Sequence, residues 1–177
     1  MCTALRPETP ESEQTIRDLI ADPDGSMEKE STMVEYTAST RIDASPEVVW
    51  RVLSEVEAMP TWTPTMSKVA VLSPEALGVG SRVQIDQPKM RRAVWEIERW
   101  QPGTGFSWVT RSPGVRTRGD HALAPTTDGA SEVTLTVTHD GPLAGIVWAL
   151  TGKRTRAYVD RELAGLAARC AERIGRA

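Results

Sequence analysis

Cysteine and histidine are scarce in this chain, with two of each among 177 residues. Cys2 and Cys170 stand near opposite ends, one in a polar segment and one in a helical pattern, which sets up no disulfide framework. Neither has a CxxC or Cys/His neighbour. With only His121 and His139 besides, no metal site is expected, and no cofactor is called for. Long apolar runs are missing as well. No window reaches the roughly 18 to 20 residues of a membrane span, and the start, MCTALRPETPESE, lacks a basic stretch followed by an apolar one. A cytoplasmic location is the resulting expectation. An excess of positive charge is also missing, since the formal net charge is −3. Residues 1–32 carry three basic side chains against eight acidic ones, a net −5 that leaves the rest at +2. Such a balance provides no electrostatic footprint for nucleic acid, which needs Lys and Arg clustered over a face. Two local basic groups, Lys89, Arg91 and Arg92, and then Lys153, Arg154 and Arg156, read as a solvated rim.

What is present is globular. Apolar residues make up 40 % and charged residues 25 %, so the length accommodates one domain with a substantial core plus a tail. Residues 1–32 form the acidic tail, expected to be largely disordered, with room for one short helix at SEQTIRDLIAD. Residues 33–177 form the domain. From Met33 the pattern has period two: Val34, Tyr36, Ala38, Thr40 and Ile42 fall on one side of a strand. ASPEVVWRVL then predicts a helix, with Ser45 as N-cap and Pro46 at its first position. MPTWTPT allows only a turn or a broken helical turn. Six short strands follow: KVAVLS, SRVQIDQ, RAVWEIERW, GFSWVTRS, VRTRGDHALAP and SEVTLTVTH. The short turns between them imply antiparallel neighbours. From Leu143 to Arg176 the pattern is helical, with an apolar stripe of Val147, Leu150, Val159, Leu163, Leu166, Cys170 and Ile174. Gly152 weakens this helix locally and marks a kink or a join. An α+β architecture results: a seven-stranded antiparallel sheet, with two short helices after the first strand, curves around one long C-terminal helix.

Several segments together carry a family resemblance: ASPEVVWRVLSEVEAMPTWTPTM, GVGSRVQIDQP, AVWEIERWQPGTGFSW, RSPGVRTRGDHAL and GPLAGIVWALTGKRTRAYVDRELAGLAAR. Over about Met33 to Arg173 they resemble the START-like SRPBCC superfamily with its helix-grip fold, in particular its bacterial polyketide cyclase/dehydrase branch. The resemblance implies an internal cavity between sheet and helix, and places the turn of Trp62 beside its entrance.

The aromatic residues are concentrated. Ala93 to Trp108 holds three of the six tryptophans and the one phenylalanine. In RAVWEIERW, Trp95 and Ile97 share a face, and Trp100 is out of phase with both, so a bulge or a strand end precedes it. Phe106 and Trp108 share the corresponding face of the next strand. Trp95 and Trp108 are read as lining the cavity, and Trp100 and Phe106 as packing. His121 faces the same interior beside Gly119 and Leu123, while Asp120 points the other way, so no local dyad is evident. Tyr36, Gln84 and Gln87 offer further hydrogen bonds to a ligand. Arg116 and Arg118 face outward.

The leading reading is a protein, monomer or homodimer, that binds a small hydrophobic or aromatic molecule of polyketide or lipid type, with Tyr36, Trp62, Gln84, Trp95, Trp108 and His121 as its contacts. An alternative is a cofactor-independent polyketide cyclase/dehydrase that folds a poly-β-ketone and assists aldol condensation and dehydration, with His121 and Tyr36 moving protons. A third reading is a toxin-like or regulatory interaction protein whose acidic tail recruits a partner.

Overall fold

The structure, a computed structural model, describes residues 32–73 and 75–175; the expectations for the N-terminal tail and for Cys2 lie outside them. β1 (Thr32–Ile42) alternates as its sequence dictates, with Val34, Tyr36, Ala38, Thr40 and Ile42 turned to the core side and the residues between them exposed. α1 (Pro46–Ser54) begins where Pro46 presets a helical φ, and buries Val49, Val52 and Leu53. Ser45 occupies the N-cap position, but its hydroxyl bonds the Glu47 carboxylate, which it holds below its ordinary range, instead of a backbone N–H. A 3-10 turn (Val56–Thr61) containing Pro60 follows and ends at Trp62. Then come β2 (Lys68–Val71), β3 (Arg82–Asp86), β4 (Ala93–Gln101), β5 (Gly105–Ser112), β6 (Val115–Pro125) and β7 (Ser131–Gly141), before α2 (Ala144–Ile174).

The strands form one antiparallel sheet in the order β1-β7-β6-β5-β4-β3-β2. Only β1 leaves its sequence neighbours, to pair with β7. At 31 residues, α2 is about 46 Å long and spans the concave side. The helix-grip architecture expected from the sequence is the one observed.

α2 corrects two local expectations. Its helix continues through Gly152 without a break. Gly152 is buried against Trp148, and a Cβ there would stand 3.0 Å from the indole ring, so the glycine makes room for a tryptophan rather than a kink. Leu150, assigned to the apolar stripe, is 78 % exposed. It precedes Val159 by two and a half turns and therefore points away from the core, whereas Ala144, Trp148 and Gly152 are in phase with Val159. Ile174, in the last turn, is exposed as well.

The core clusters Val49, Leu53, Met59, Ile97, Phe106, Val133 and Leu166, all sealed from solvent, where α1, the sheet and the C-terminal half of α2 meet. Among the described residues, no helix is long and apolar enough to cross a membrane.

Candidate functional site

Cross-strand register sorts the concave face into rows. One row runs Trp100, Phe106, His121, Leu135 and Ala38; the next runs Ile97, Trp108, Gly119, Val137 and Tyr36. Trp100 joins the first row because the register between β4 and β5 shifts between Ile97 and Arg99, which returns an out-of-phase residue to the inner face. This is the bulge that the sequence spacing requires.

The rings in these rows touch in series. Trp50 from α1 meets Trp100 edge-on at 5.2 Å between centroids, Trp100 meets Phe106 at 5.5 Å, Phe106 meets Trp108 at 5.1 Å, and Trp108 meets Trp95 at 5.9 Å. These separations are those of favourable tilted and edge-to-face pairs. Gly119 makes the arrangement fit, since a Cβ on it would stand 2.7 Å from Nε1 of Trp108. Phe106 and Trp108 are buried, whereas Trp95 and Trp100 are half-buried.

His121 lies in the middle of this series. Its ring stacks on Phe106 at 4.2 Å, with 15° between planes, and stands edge-on to Trp108 at 5.3 Å. Its Nε2 is 2.9 Å from Oε1 of Glu162 on α2, and both residues are buried. With Glu162 ionised, Nε2–H donates to the carboxylate and Nδ1 keeps its lone pair. Nδ1 is buried and has no hydrogen-bond partner among the described residues. The dyad absent from the local sequence is thus assembled from β6 and α2, and Glu162 is the functional candidate that the sequence reading passed over. A signal for it existed: Glu162 is three residues after Val159 and four before Leu166, a carboxylate in phase with an apolar stripe.

The other sequence-predicted residues divide. Trp62 is brought to α2 one turn beyond Glu162, where a Cβ on Gly165 would fall 2.3 Å from the Trp62 carbonyl oxygen. The indole N–H groups of Trp62 and Trp95 are both buried without an acceptor among the described residues. Tyr36 is on the concave face, but its hydroxyl donates to Oδ1 of Asp160 at 2.9 Å. That hydrogen bond lifts its pKa above the ordinary phenol value. It therefore belongs to a cluster on the N-terminal half of α2 and not to the His121 dyad. Gln84 alternates with Val83 and Ile85, which are buried, so its amide is turned to the outer face. Arg116 and Arg118 do face outward, where they pair with Glu98 at 2.6 Å and Asp120 at 2.7 Å.

An open cleft of about 340 Å³ lies elsewhere, over the end of α1 and beside β2, with Glu55, Glu57, Val71 and Leu77 in its walls. It contains no aromatic ring and no histidine.

Seven antiparallel strands curved around one long helix make the helix-grip fold, here with aromatic rings and the His121–Glu162 pair on the gripped face. Residues 33–171 match the family described as polyketide cyclase/dehydrase and lipid transport, and the chain belongs to that family. Among solved structures it is similar to TTHA0849 from Thermus thermophilus, with 22 % identity and a TM-score of 0.63 over 78 % of this chain and 98 % of that one. It is also similar to Ara h 8.0201, with 10 % identity and a TM-score of 0.59 over 80 % and 99 %. At these identities the likeness is one of fold. No curated protein matches the chain.

Proposed function

We propose that the protein binds a small hydrophobic, ring-bearing or lipid-like molecule between the concave face of the sheet and α2, with His121 as its polar anchor. The observation that carries this reading is a set of buried polar atoms without partners among the described residues: Nδ1 of His121 and the indole N–H of Trp95 on the concave face, and the indole N–H of Trp62 beside α2. Buried polar atoms almost always have partners; the two indole N–H groups call for acceptors from outside the chain, and the Nδ1 lone pair calls for a donor. The adjoining rings supply the apolar surface, whose burial is worth roughly 25 cal/mol per Å². Family membership supports the same ligand class.

A second reading, cyclisation and dehydration of a poly-β-ketone, is favoured by the His121–Glu162 pair. Such a reaction needs a group that takes a proton from carbon and returns one to oxygen. An imidazole held in one tautomer by a carboxylate at 2.9 Å suits that task, and the surrounding rings would keep the reacting chain folded and dry.

Native mass spectrometry and tryptophan quenching with a panel of aromatic polyketides and fatty acids test the first reading. Saturable quenching that is lost in Trp95→Ala supports it, and no binding across the panel refutes it. Glu162→Gln separates the readings: a pure binder keeps its affinity and has no turnover to lose, whereas a cyclase keeps binding and loses product formation by about 10²-fold or more.

A further inference from the structure

The polarity of the concave face is graded along the strands. Beyond the row of Trp108 and Gly119 comes one of Thr110, Thr117, His139 and Val34. Here the interior becomes polar. His139 is 5 % exposed; its Nδ1 is 2.8 Å from Oγ1 of Thr117, and its Nε2 is buried without a partner. Its ring stands 5.9 Å from that of Trp148 on α2. Trp148 also meets Arg156, whose guanidinium carbon lies 5.4 Å from the Trp148 ring centroid and 5.6 Å from that of Tyr36.

The opposite edge of the sheet brings more positive charge to the same part of α2. The β3–β4 loop is tied to the helix by two hydrogen bonds, from Nη1 of Arg154 to the Lys89 carbonyl at 2.9 Å and from the Tyr158 hydroxyl to the Pro88 carbonyl. The two basic runs of the sequence thereby meet. Arg92 is paired with Asp86, but Lys89, Arg91, Lys153, Arg154 and Arg156 have no ion-pair partner among the described residues.

Resting on the ligand-binding reading above, we infer that the ligand is a hydrophobic carboxylic acid bound with its head outward. Its apolar body lies along Trp95 and Trp108, its polar neck meets Nε2 of His139, and its carboxylate is held by Arg156. Arg156 is already oriented by two aromatic faces, so little side-chain freedom remains to be lost when its fork meets a carboxylate. A neutral molecule would leave this cation without a counter-charge, which an aliphatic or aromatic acid supplies.

The test compares 1-naphthylacetate with its amide, two probes of the same shape that differ in charge, by calorimetric titration of the full-length chain. The wild type is expected to bind the acid about tenfold or more tightly than the amide, the value of one charged hydrogen bond. Arg156→Met keeps the apolar stem on Tyr36 and Trp148, and is expected to reduce that preference to within about twofold. Arg51→Met, the same loss of charge on α1, is expected to preserve the preference. Equal binding of acid and amide by the wild type, or a preference that survives in Arg156→Met, overturns the inference while the binding reading stands. Failure of both probes to bind overturns the two together.

Discussion

Nε2 of His121 on β6 and Oε1 of Glu162 on α2 lie 2.9 Å apart, buried, although the two residues are 41 positions apart in the sequence. The pair joins the sheet to the helix at the centre of a continuous series of aromatic rings, and it leaves Nδ1 of the imidazole without a partner among the described residues. In a core whose other contacts here are apolar, it is the contact that gives the interior a chemistry.

Removing the carboxylate should expose what the pair contributes. Glu162→Ala leaves a buried imidazole without its partner and is expected to cost about 1–3 kcal/mol of stability in urea titration. Glu162→Gln retains a hydrogen bond and is expected to cost less than half as much. Equal stability of the wild type and Glu162→Ala would show that the pair is not closed in solution.

Gly119→Ala tests the packing of the rings. The new methyl would lie 2.7 Å from Nε1 of Trp108, at the centre of a row bounded by Ile97 and Val137, so the indole must move. A loss of about 1–3 kcal/mol and a shifted tryptophan emission are expected. An unchanged spectrum and melting curve would mean that Trp108 does not occupy this position.

The fold was legible because it rests on local patterns: the alternation of β1, Pro46 after Ser45, and turns short enough to force antiparallel neighbours. The inward turn of Trp95, Trp108 and His121 followed from the same alternation, and even the bulge before Trp100 could be read from its phase. Glu162 could not be paired with His121, because no local rule joins two positions 41 residues apart. Leu150 was misplaced because one apolar residue in a weakly amphipathic helix does not set the phase; Gly152 and Trp148, which pack on each other, set it. The convergence of the basic runs at residues 89–92 and 153–156 depends on hydrogen bonds across the mouth of the grip, which leave no trace in composition.

His139 predicts a pH dependence. Burial pushes its pKa below the ordinary histidine value. As pH falls through about 6.5, the unfolded chain takes up a proton that the folded protein refuses, so stability is lost from there down to the folded pKa and is regained as pH rises. Thr117 faces it directly, and Trp148, against its ring, also meets Arg156. His139→Gln is expected to flatten the fall of the denaturation midpoint below about pH 6.5. A slope as steep as that of the wild type would assign the effect to other groups.

Cys170 is expected to be inert in the native state. Burial pushes its thiol up to about 11, so almost no thiolate is present at pH 8. In a Cys2→Ser background, Ellman's reagent should find no reactive thiol until denaturant is added, and then one. Rapid labelling of the native protein would contradict this helix packing.

The most direct test of ligand binding at the aromatic face is a titration of the ¹⁵N-labelled protein with 2-naphthol, following the six indole N–H resonances. The expected result is saturable movement of Trp62 and Trp95, whose N–H groups are buried without acceptors, with Trp50 following only weakly from the far end of the ring series. Resonances that stay in place at saturating naphthol, or that all drift together without saturation, would contradict the claim and make these rings a closed core.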